Sequence, residues 1–307
     1  MRLSIPSICG FATLLVTLAG PAIASELEPL VDVDWVKANA DREDVVLLDI
    51  RNEIDGGSAE AFIQGHVPGA VYSDYLKDGW RTKVDGVIGQ APKADQLEAL
   101  IGGLGIDNDT TVVVIPAGVS STDFGSAARV YWTFNYVGHD EVAILDGGYR
   151  AWTADSSNPI ETGPSTPEIK IFEAELRPEL RVDGQAVEAA LGDPGKLLLD
   201  GRPEKQFAGL EKHDAAKAAG HIPGATHFDQ AQTFDKNTGK LVDLAKLESL
   251  LPAGLGDAED VYSYCNTGHW AAVNWFVLSE VIGKDNVKLY DGSMVDWTQN
   301  PAHPLEK

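Results

Sequence analysis

Cys265 is the residue whose type and position are best suited to chemistry. It directly follows the apolar run 260–264, and an apolar helical pattern begins near Ala271. A cysteine between the end of a buried parallel strand and the start of a helix faces unpaired backbone N–H groups, and the helix dipole favours negative charge there. Both effects favour the thiolate, which is the nucleophilic form of cysteine. The sequence therefore predicts a reactive thiolate at this position.

The residues that follow the cysteine form a predicted anion-binding loop, 265–270, here called the Cys265 loop. Gly268 lets the chain bend so that several amides converge on one point, where they would hold an anionic group such as a persulfide or a bound substrate. The imidazole of His269 could add partial positive charge near neutral pH. The indole of Trp270 could form a wall of the pocket or simply pack into the cleft. The residues predicted here to bind substrate are Asn266, Thr267, Gly268, His269 and Trp270.

Other cysteine chemistries fit the sequence less well. The chain contains two cysteines, Cys9 and Cys265. Loss of an N-terminal signal would leave only Cys265, so neither an internal disulfide nor a disulfide oxidoreductase with a resolving cysteine is expected. A cysteine-based phosphatase needs an arginine six residues after the cysteine, where this chain has Ala271. A buried and inert thiol remains the alternative to the reactive one.

The first 24 residues predict a secretory signal peptide. Arg2 gives a positive start, residues 11–19 are apolar, and Ala22-Ile23-Ala24 offers a cleavage site before Ser25. The apolar run is shorter than the roughly 20 residues that a membrane span needs, and a retained anchor is the alternative. No later segment is long and apolar enough to cross a bilayer. We expect a periplasmic or secreted protein that is free of the membrane after cleavage.

The charge balance excludes some partners. Among 307 residues, 47 are acidic and 24 are basic, which gives a formal net charge of −23. Such a charge disfavours nucleic acid and anionic membranes as partners. It also repels anionic substrates at long range, so an anion site must be built from local donors.

The chain repeats itself with a period of roughly 150 residues, which indicates a duplicated domain. Each copy begins with an apolar run that ends in Asp-x-Arg, followed by the turn Gly-His-[Val/Ile]-Pro-Gly-Ala. A central strand comes next, followed by an apolar helical pattern at 127–136 in the first copy and 271–282 in the second, and each copy closes on Asp-Gly-[Gly/Ser]-x-x-x-Trp. The matching segments are 45–51 with 196–202, 65–70 with 220–225, 111–115 with 260–264, and 146–152 with 291–297.

Strands that alternate with helices predict βαβ units and a mostly parallel sheet covered on both faces. A segment rich in Ser, Pro and Gly at 155–178 is typical of a linker. The predicted organisation is a signal peptide at 1–24, a first domain at 25–154, this linker, and a second domain at 179–307. Where the second domain has Cys265, the first has Pro116 or Ala117, so it lacks the nucleophile and is expected to pack and to shape the cleft.

These motifs, in this order and twice over, resemble those of the tandem-domain rhodanese family of thiosulfate and 3-mercaptopyruvate sulfurtransferases. The resemblance covers almost the whole chain after the signal. It implies an α/β fold in which each half is a five-stranded parallel sheet flanked by helices, with catalysis confined to the second half. It also implies sulfur transfer from a donor such as thiosulfate, through a Cys265 persulfide, to cyanide or a thiol, without a metal or organic cofactor.

Three residues, Asp200, Arg202 and Gln206, bear on the identity of the sulfur donor. Asp200 and Arg202 match the family's Asp-x-Arg, and we expect them to pair and brace the loop, with Arg202 close to the substrate. The family usually has a donor-binding arginine four residues after Arg202, where this chain has Gln206, which we expect to contact the substrate in its place. The mercaptopyruvate type is the less expected one. A carrier that takes sulfur from a periplasmic partner protein is the alternative function.

The remaining histidines do not suggest a metal site. His66 and His221 occupy the same turn in both halves, including the half without the cysteine, which indicates a structural role. His213, His227 and His303 lack the spacing of metal ligands.

Overall fold

The computed structural model describes residues 27–307, so the signal peptide predicted at 1–24 lies outside the described residues. The first half contains a five-stranded parallel sheet with the strand order β1-β7-β6-β2-β3. Its elements are β1 Leu30–Val31, α1 Val33–Asn39, β2 Val45–Asp49, α2 Ala59–Gln64, β3 Val71–Tyr72, β4 Thr82–Val84, β5 Val87–Gln90, α3 Ala94–Gly103, β6 Thr111–Ile115, α4 Ser121–Tyr136, β7 Val142–Leu145 and α5 Gly148–Ala154.

The second half repeats this arrangement with a four-stranded parallel sheet in the order β13-β12-β8-β9. Its elements are α6 Gly184–Ala189, β8 Lys196–Asp200, α7 Glu204–Phe207, β9 Thr226–His227, β10 Phe234–Asp235, β11 Lys240–Leu241, α8 Leu244–Leu250, β12 Asp260–Tyr264, α9 His269–Phe276, β13 Val287–Leu289 and α10 Ser293–Trp297. A π-helical turn, Val277–Val281, continues α9.

The expected α/β fold with two similar domains is confirmed, and the first half has the predicted five strands. The second half has four, because the place of β1 is taken by a single bridge between Arg181 and Leu289. The amide of Val182 adds one more hydrogen bond, to the carbonyl of Leu289 at 3.0 Å. One bridge is too short to count as a strand, although the chain follows the same course.

The strands form where the sequence places short apolar runs. Strand β6 is buried along its whole length, and β12 is buried from Val261 onward. Such continuous burial is expected of central strands in a parallel sheet with helices on both faces. The carboxyl ends of β6 and β12 therefore lie at the edge where α/β proteins bind ligands.

Helices α4 and α9 join the two halves. Tyr131 on α4 meets Phe276 on α9 edge to face, with 4.9 Å between the ring centroids, and Phe124 packs on the same ring at 5.6 Å. These side chains belong to one buried apolar cluster that draws residues from both domains. The start of α9, and with it the Cys265 loop, is consequently held against the first domain.

The segment predicted as a linker lies along the surface of the first domain. Its backbone donates hydrogen bonds to Gly102 from Lys170 and to Val137 from Glu175, and Phe172 is buried. In the described part of the chain, residues 27–307, none of the helices has the length and hydropathy that a bilayer span requires.

The two histidines of the repeated turn make matching contacts. His66 stacks on Phe62 and His221 stacks on Phe207, each with 3.8 Å between ring centroids. In both, Nδ1 lies 2.8 Å from the carbonyl oxygen of the same phenylalanine. Identical contacts in the half without a cysteine fit the structural role that the sequence indicates.

Candidate active site

Cys265 lies between the end of β12 and the start of α9, at the carboxyl edge of the second sheet. Only 1% of the residue is exposed. Its backbone is fixed on both sides, because its carbonyl accepts a hydrogen bond from the amide of Met294 at 3.1 Å and its amide donates to Ser293 Oγ at 3.0 Å. The thiol therefore occupies a defined position that bulk water does not reach freely.

Ser293 anchors the Cys265 loop at two points. Its Oγ accepts hydrogen bonds from the amides of Cys265 and Gly268, at 3.0 and 3.1 Å, and donates to the carbonyl of Tyr290 at 2.7 Å. Ser293 adopts φ +51°, a conformation that L residues rarely adopt. The equivalent residue of the first half is Gly148, which meets the same backbone requirement without a hydroxyl. Ser293 is therefore in a strained backbone conformation, and its hydroxyl holds the Cys265 loop.

Other amides of the loop are available to an anion. Among the described residues, the structure gives the amides of Asn266, Thr267, His269 and Trp270 no hydrogen-bond partner. They lie in the turn before α9 and in its first turn, where the helix dipole adds positive potential. The local donors predicted by the sequence are therefore present beside the thiol.

The first half shows what the equivalent loop does without a cysteine. The carbonyls of Pro116 and Ala117 accept from Tyr149 and Arg150, as those of Cys265 and Asn266 accept from Met294 and Val295. This pattern makes Pro116 the counterpart of Cys265.

The amides of this first-half loop converge on the carboxylate of Asp123. Those of Ala117, Gly118 and Val119 donate to it at 3.0, 2.6 and 2.9 Å. The loop of this fold is thus able to gather several N–H groups around one acceptor group.

Asp200 and Arg202 form the pair that the sequence predicts. Arg202 donates to the Asp200 carboxylate from Nε and from its terminal nitrogen, the latter at 2.6 Å, and also to the carbonyl of Gly220 at 2.9 Å. Although burial opposes its charge, the hydrogen bonds that Arg202 donates to Asp200 raise the pKa of Arg202. These bonds join the end of β8 to the Gly-His-Ile-Pro turn. The guanidinium of Arg202 therefore stabilises the strand end next to β12.

Gln206 lies at the Cys265 loop, at the position where the family usually has arginine. Its Oε1 accepts a hydrogen bond from the side-chain amide of Asn266 at 2.8 Å. This contact orients Asn266 but adds no positive charge. The neighbouring Lys205 is exposed and pairs with Glu211 at 3.2 Å.

The imidazole of His269 does not supply charge to the loop. Its Nε2 lies 2.8 Å from the carbonyl oxygen of Thr122, and its Nδ1 lies 2.8 Å from the hydroxyl of Tyr75. Burial, reinforced by Arg81 and Arg129, lowers the pKa of His269 to about 3. The partial positive charge expected near neutral pH is therefore absent, because the ring is enclosed between the domains. Trp270 also contacts the first domain, through Nε1 and the hydroxyl of Thr122 at 3.1 Å.

The first domain contributes residues to this site that sequence reasoning missed. Arg129, which is fully buried on α4, donates to the carbonyl of Gly268 at 3.3 Å and lies 3.6 Å from Asp291. The guanidinium of Arg81 lies over the ring of Tyr75, 4.6 Å from its centroid. The only sequence signal for Arg129 is a cation inside the apolar pattern 127–136, and Arg81 carries no signal at all.

Replacement of Ser293 by glycine is expected to lower turnover by about 10- to 100-fold, because two amides of the Cys265 loop lose their shared acceptor. The matched variant Ser293→Ala should show the same kinetic defect, since it also lacks the hydroxyl. Glycine removes the strain of the positive φ whereas alanine keeps it, so Ser293→Gly should be the more stable of the two by about 1 kcal/mol. Full turnover in Ser293→Gly would contradict the anchoring role. Steady-state kinetics and urea unfolding measure the two effects.

Comparison with known proteins identifies the family. The profile of the Rhodanese-like domain matches residues 32–155 and, a second time, residues 183–300. The chain belongs to the rhodanese family. It is 31% identical over 288 residues to a protein of Haloferax volcanii named putative thiosulfate sulfurtransferase, covering 91% of this chain and 96% of the relative. It is 30% identical over 292 residues to the sulfur carrier protein TtuD of Thermus thermophilus, covering 91% and 97%.

Solved rhodanese structures agree with the fold. The 3-mercaptopyruvate sulfurtransferase SseA of Escherichia coli superposes with a TM-score of 0.74 at 24% identity, covering 87% of this chain and 99% of SseA. The predicted membership of a sulfurtransferase family with two rhodanese domains is therefore confirmed.

Proposed function

We propose that this rhodanese transfers sulfur through a persulfide on Cys265, taking it from an anionic donor such as thiosulfate and giving it to cyanide or a thiol. The observation that carries the proposal is the set of four unpaired amides in the loop that follows the thiol, in a position whose first-half counterpart holds a carboxyl group with three amides. Such donors stabilise a thiolate and a persulfide anion alike. The relatives named as thiosulfate sulfurtransferases support the choice of donor.

The reaction has two half-reactions. The Cys265 thiolate attacks the outer sulfur of thiosulfate, the bond between the two donor sulfurs breaks, and its electron pair leaves with sulfite. An acceptor thiolate or cyanide then attacks the outer sulfur of the persulfide, and the electron pair of the broken bond returns to Sγ. No net oxidant is required, and ping-pong kinetics follow.

The other residues of the site have supporting roles in this proposal. The amides of Asn266, Thr267, His269 and Trp270 bind the anion, and Gly268 provides the bend at φ +71°. Gln206 orients Asn266. Arg202 and Asp200 brace the strand end beside the loop.

A persulfide carrier supplied by a partner protein is the second candidate, and Gln206 favours it. Without an arginine at this position, the second domain offers a small inorganic anion fewer cations than the family usually provides. The similarity to a protein named sulfur carrier supports the same candidate. An enzyme turns over thiosulfate with cyanide repeatedly and with saturation, whereas a carrier accepts one sulfur from its partner and turns over small donors negligibly.

The intact-protein mass after incubation with thiosulfate, and separately with 3-mercaptopyruvate, tests the proposal. We expect thiosulfate to add the mass of one sulfur atom, which cyanide then removes. Sulfur gained only from 3-mercaptopyruvate would contradict the proposed donor, and gain from neither would favour the carrier.

We also propose that the protein is exported to the periplasm or out of the cell, because residues 1–24 have the pattern of a signal peptide. The same spectrum tests this, because the processed chain of the natural host should begin at Ser25.

A further inference from the structure

A cavity of about 460 Å³ lies against the Cys265 loop, and the function proposed above does not use it. One side is formed by β4 and β5 of the first domain, here called the hairpin, and the other side by residues of the second domain. Its lining includes the cationic side chains of Arg81 and Lys83, the ring of His213, the apolar side chains of Leu76 and Ile88, and Thr267 of the loop itself. The cavity therefore has positively charged groups and an apolar wall, and it contacts the Cys265 loop.

The positive charge in this cavity is not neutralised by the protein. Among the described residues that line it, none is acidic, although acidic residues outnumber basic ones 47 to 24 in the chain. The Nε of Arg81 is buried and has no hydrogen-bond partner in the described structure. Leaving a buried guanidinium donor unpaired costs free energy, so the geometry favours an anion as its partner.

Contact between the hairpin and the loop places this cavity beside the Cys265 loop. Gly89 of the hairpin has φ +90°, and a Cβ at this position would come within 2.5 Å of the carbonyl oxygen of Thr267. The hairpin backbone therefore rests directly on the loop, two residues from Cys265. The cavity is therefore attached to the loop that carries the thiol.

The dimensions of the cavity indicate what it binds. Its volume is within the range of roughly 300–1,000 Å³ found for sites that hold organic ligands, and a thiosulfate ion is much smaller than this. Cys265 is not one of the lining residues, so a ligand held by Arg81 must extend past Thr267 to reach the sulfur. A compact inorganic anion cannot span both places. An elongated molecule with an anionic group at one end and sulfur at the other can.

We propose that this cavity binds the carboxylate end of an elongated organic thiol, with Arg81 and Lys83 pairing with the carboxylate while the thiol reaches the persulfide of Cys265. The cavity thereby selects acidic organic thiols as sulfur acceptors. This inference rests on the proposed function, because it names the class of its acceptor. The acceptor thiolate bonds to the outer sulfur, the bond from that sulfur to Sγ breaks with return of the electron pair to Sγ, and the acceptor leaves as its own persulfide.

Glutathione and its diethyl ester test the proposal, because they have the same backbone and thiol but differ in their two carboxylates. Protein loaded with sulfur is mixed with each thiol, and the rate of sulfur loss is followed by mass. We expect the unchanged protein to discharge to glutathione about tenfold faster than to the ester, as a charged hydrogen-bonded pair at Arg81 would give. In Arg81→Gln this preference should disappear.

The matched control is Arg42→Gln, which removes the same charge at the opposite edge of the first sheet, where Arg42 is exposed and precedes β2. Arg42→Gln should keep the full preference for glutathione. An equal preference in the unchanged protein and in Arg81→Gln would overturn the inference, and so would a loss of preference in Arg42→Gln, which would indicate a general effect of net charge.

A binding measurement separates the inference from the proposed function. S-methylglutathione cannot accept sulfur, so calorimetric titration of the unloaded protein reports binding alone. We expect binding that is at least about tenfold weaker in Arg81→Gln. If the protein never loads with sulfur but binds S-methylglutathione through Arg81, the proposed function fails and the cavity assignment stands. If the protein loads and discharges but does not bind this compound, the cavity assignment fails alone.

Discussion

Replacement of Cys265 by serine is expected to lower sulfur transfer by at least about 1000-fold and to abolish the added mass of sulfur, since removal of a covalent nucleophile typically has such an effect. A serine hydroxyl is not ionised near neutral pH and cannot hold a sulfane sulfur as a persulfide anion. The fold should be unaffected, because the change is nearly isosteric and the backbone of residue 265 keeps its bonds to Ser293 and Met294. Thiosulfate:cyanide kinetics and intact mass measure the loss.

The internal repeat provides a matched control for this result. Pro116 occupies the place of Cys265 in the first half, so the double variant Cys265→Ser with Pro116→Cys moves the thiol to the equivalent loop. We expect no recovery of activity, because the amides of that loop already bond to the carboxylate of Asp123. Recovery of activity by the double variant would show that the surroundings of Cys265 are not what activates the thiol. A Cys265→Ser protein that still gains sulfur would show that Cys265 is not the residue that carries it.

Local sequence patterns predict much of the fold. The strands 111–115 and 260–264 match β6 and β12 at both ends, because short buried runs between turn signals have little freedom in an α/β protein. The helical pattern at 127–136 marks only part of α4, which begins six residues earlier at Ser121. The first turn of this helix is Ser-Thr-Asp, whose polar side chains carry no apolar periodicity, and the side chain of Ser120 before it caps the helix start.

The site divides in a similar way between what is local and what is not. The Cys265 loop, the Asp200–Arg202 pair and the bend at Gly268 follow from neighbouring residues, and the sequence predicts them. The environment of His269 does not follow from neighbouring residues, because Thr122 and Tyr75 contact it from the first domain, more than 140 residues away in the chain.

Positive charge near the loop is the clearest case of such a long-range contribution. The sequence shows that Gln206 replaces a basic residue, and it offers no substitute near Cys265. In the structure, Arg129 touches Gly268 from α4, and Arg81 lines the cavity beside Thr267 from the hairpin. Both come from the half that lacks the cysteine. The first domain therefore does more than pack, since it supplies the cations that the second domain lacks.

Replacement of Asp123 by alanine is expected to destabilise the protein by about 3 kcal/mol, because one buried and two partly buried amides lose their only acceptor. The carboxylate of Asp123 is 1% exposed, and its bonds to Ala117, Gly118 and Val119 hold the whole first-half loop. Asp109→Ala is the control, since Asp109 is exposed and its carboxylate makes no hydrogen bond in the described structure. Urea unfolding at neutral pH gives both free energies.

The pH dependence distinguishes the role of this carboxyl from simple packing. Burial raises the pKa of Asp123 to about 7, although the amides of its loop act in the opposite direction. A carboxyl whose pKa is higher in the folded than in the unfolded state contributes stability that is fully present below its unfolded pKa of 3.8 and is lost as the pH rises through about 7. The difference in unfolding free energy between the unchanged protein and Asp123→Ala should therefore shrink between about pH 4 and pH 7 and stay constant above that. A difference that is constant throughout this range would contradict the raised pKa, and the absence of any difference would mean that Asp123 does not organise the first-half amides.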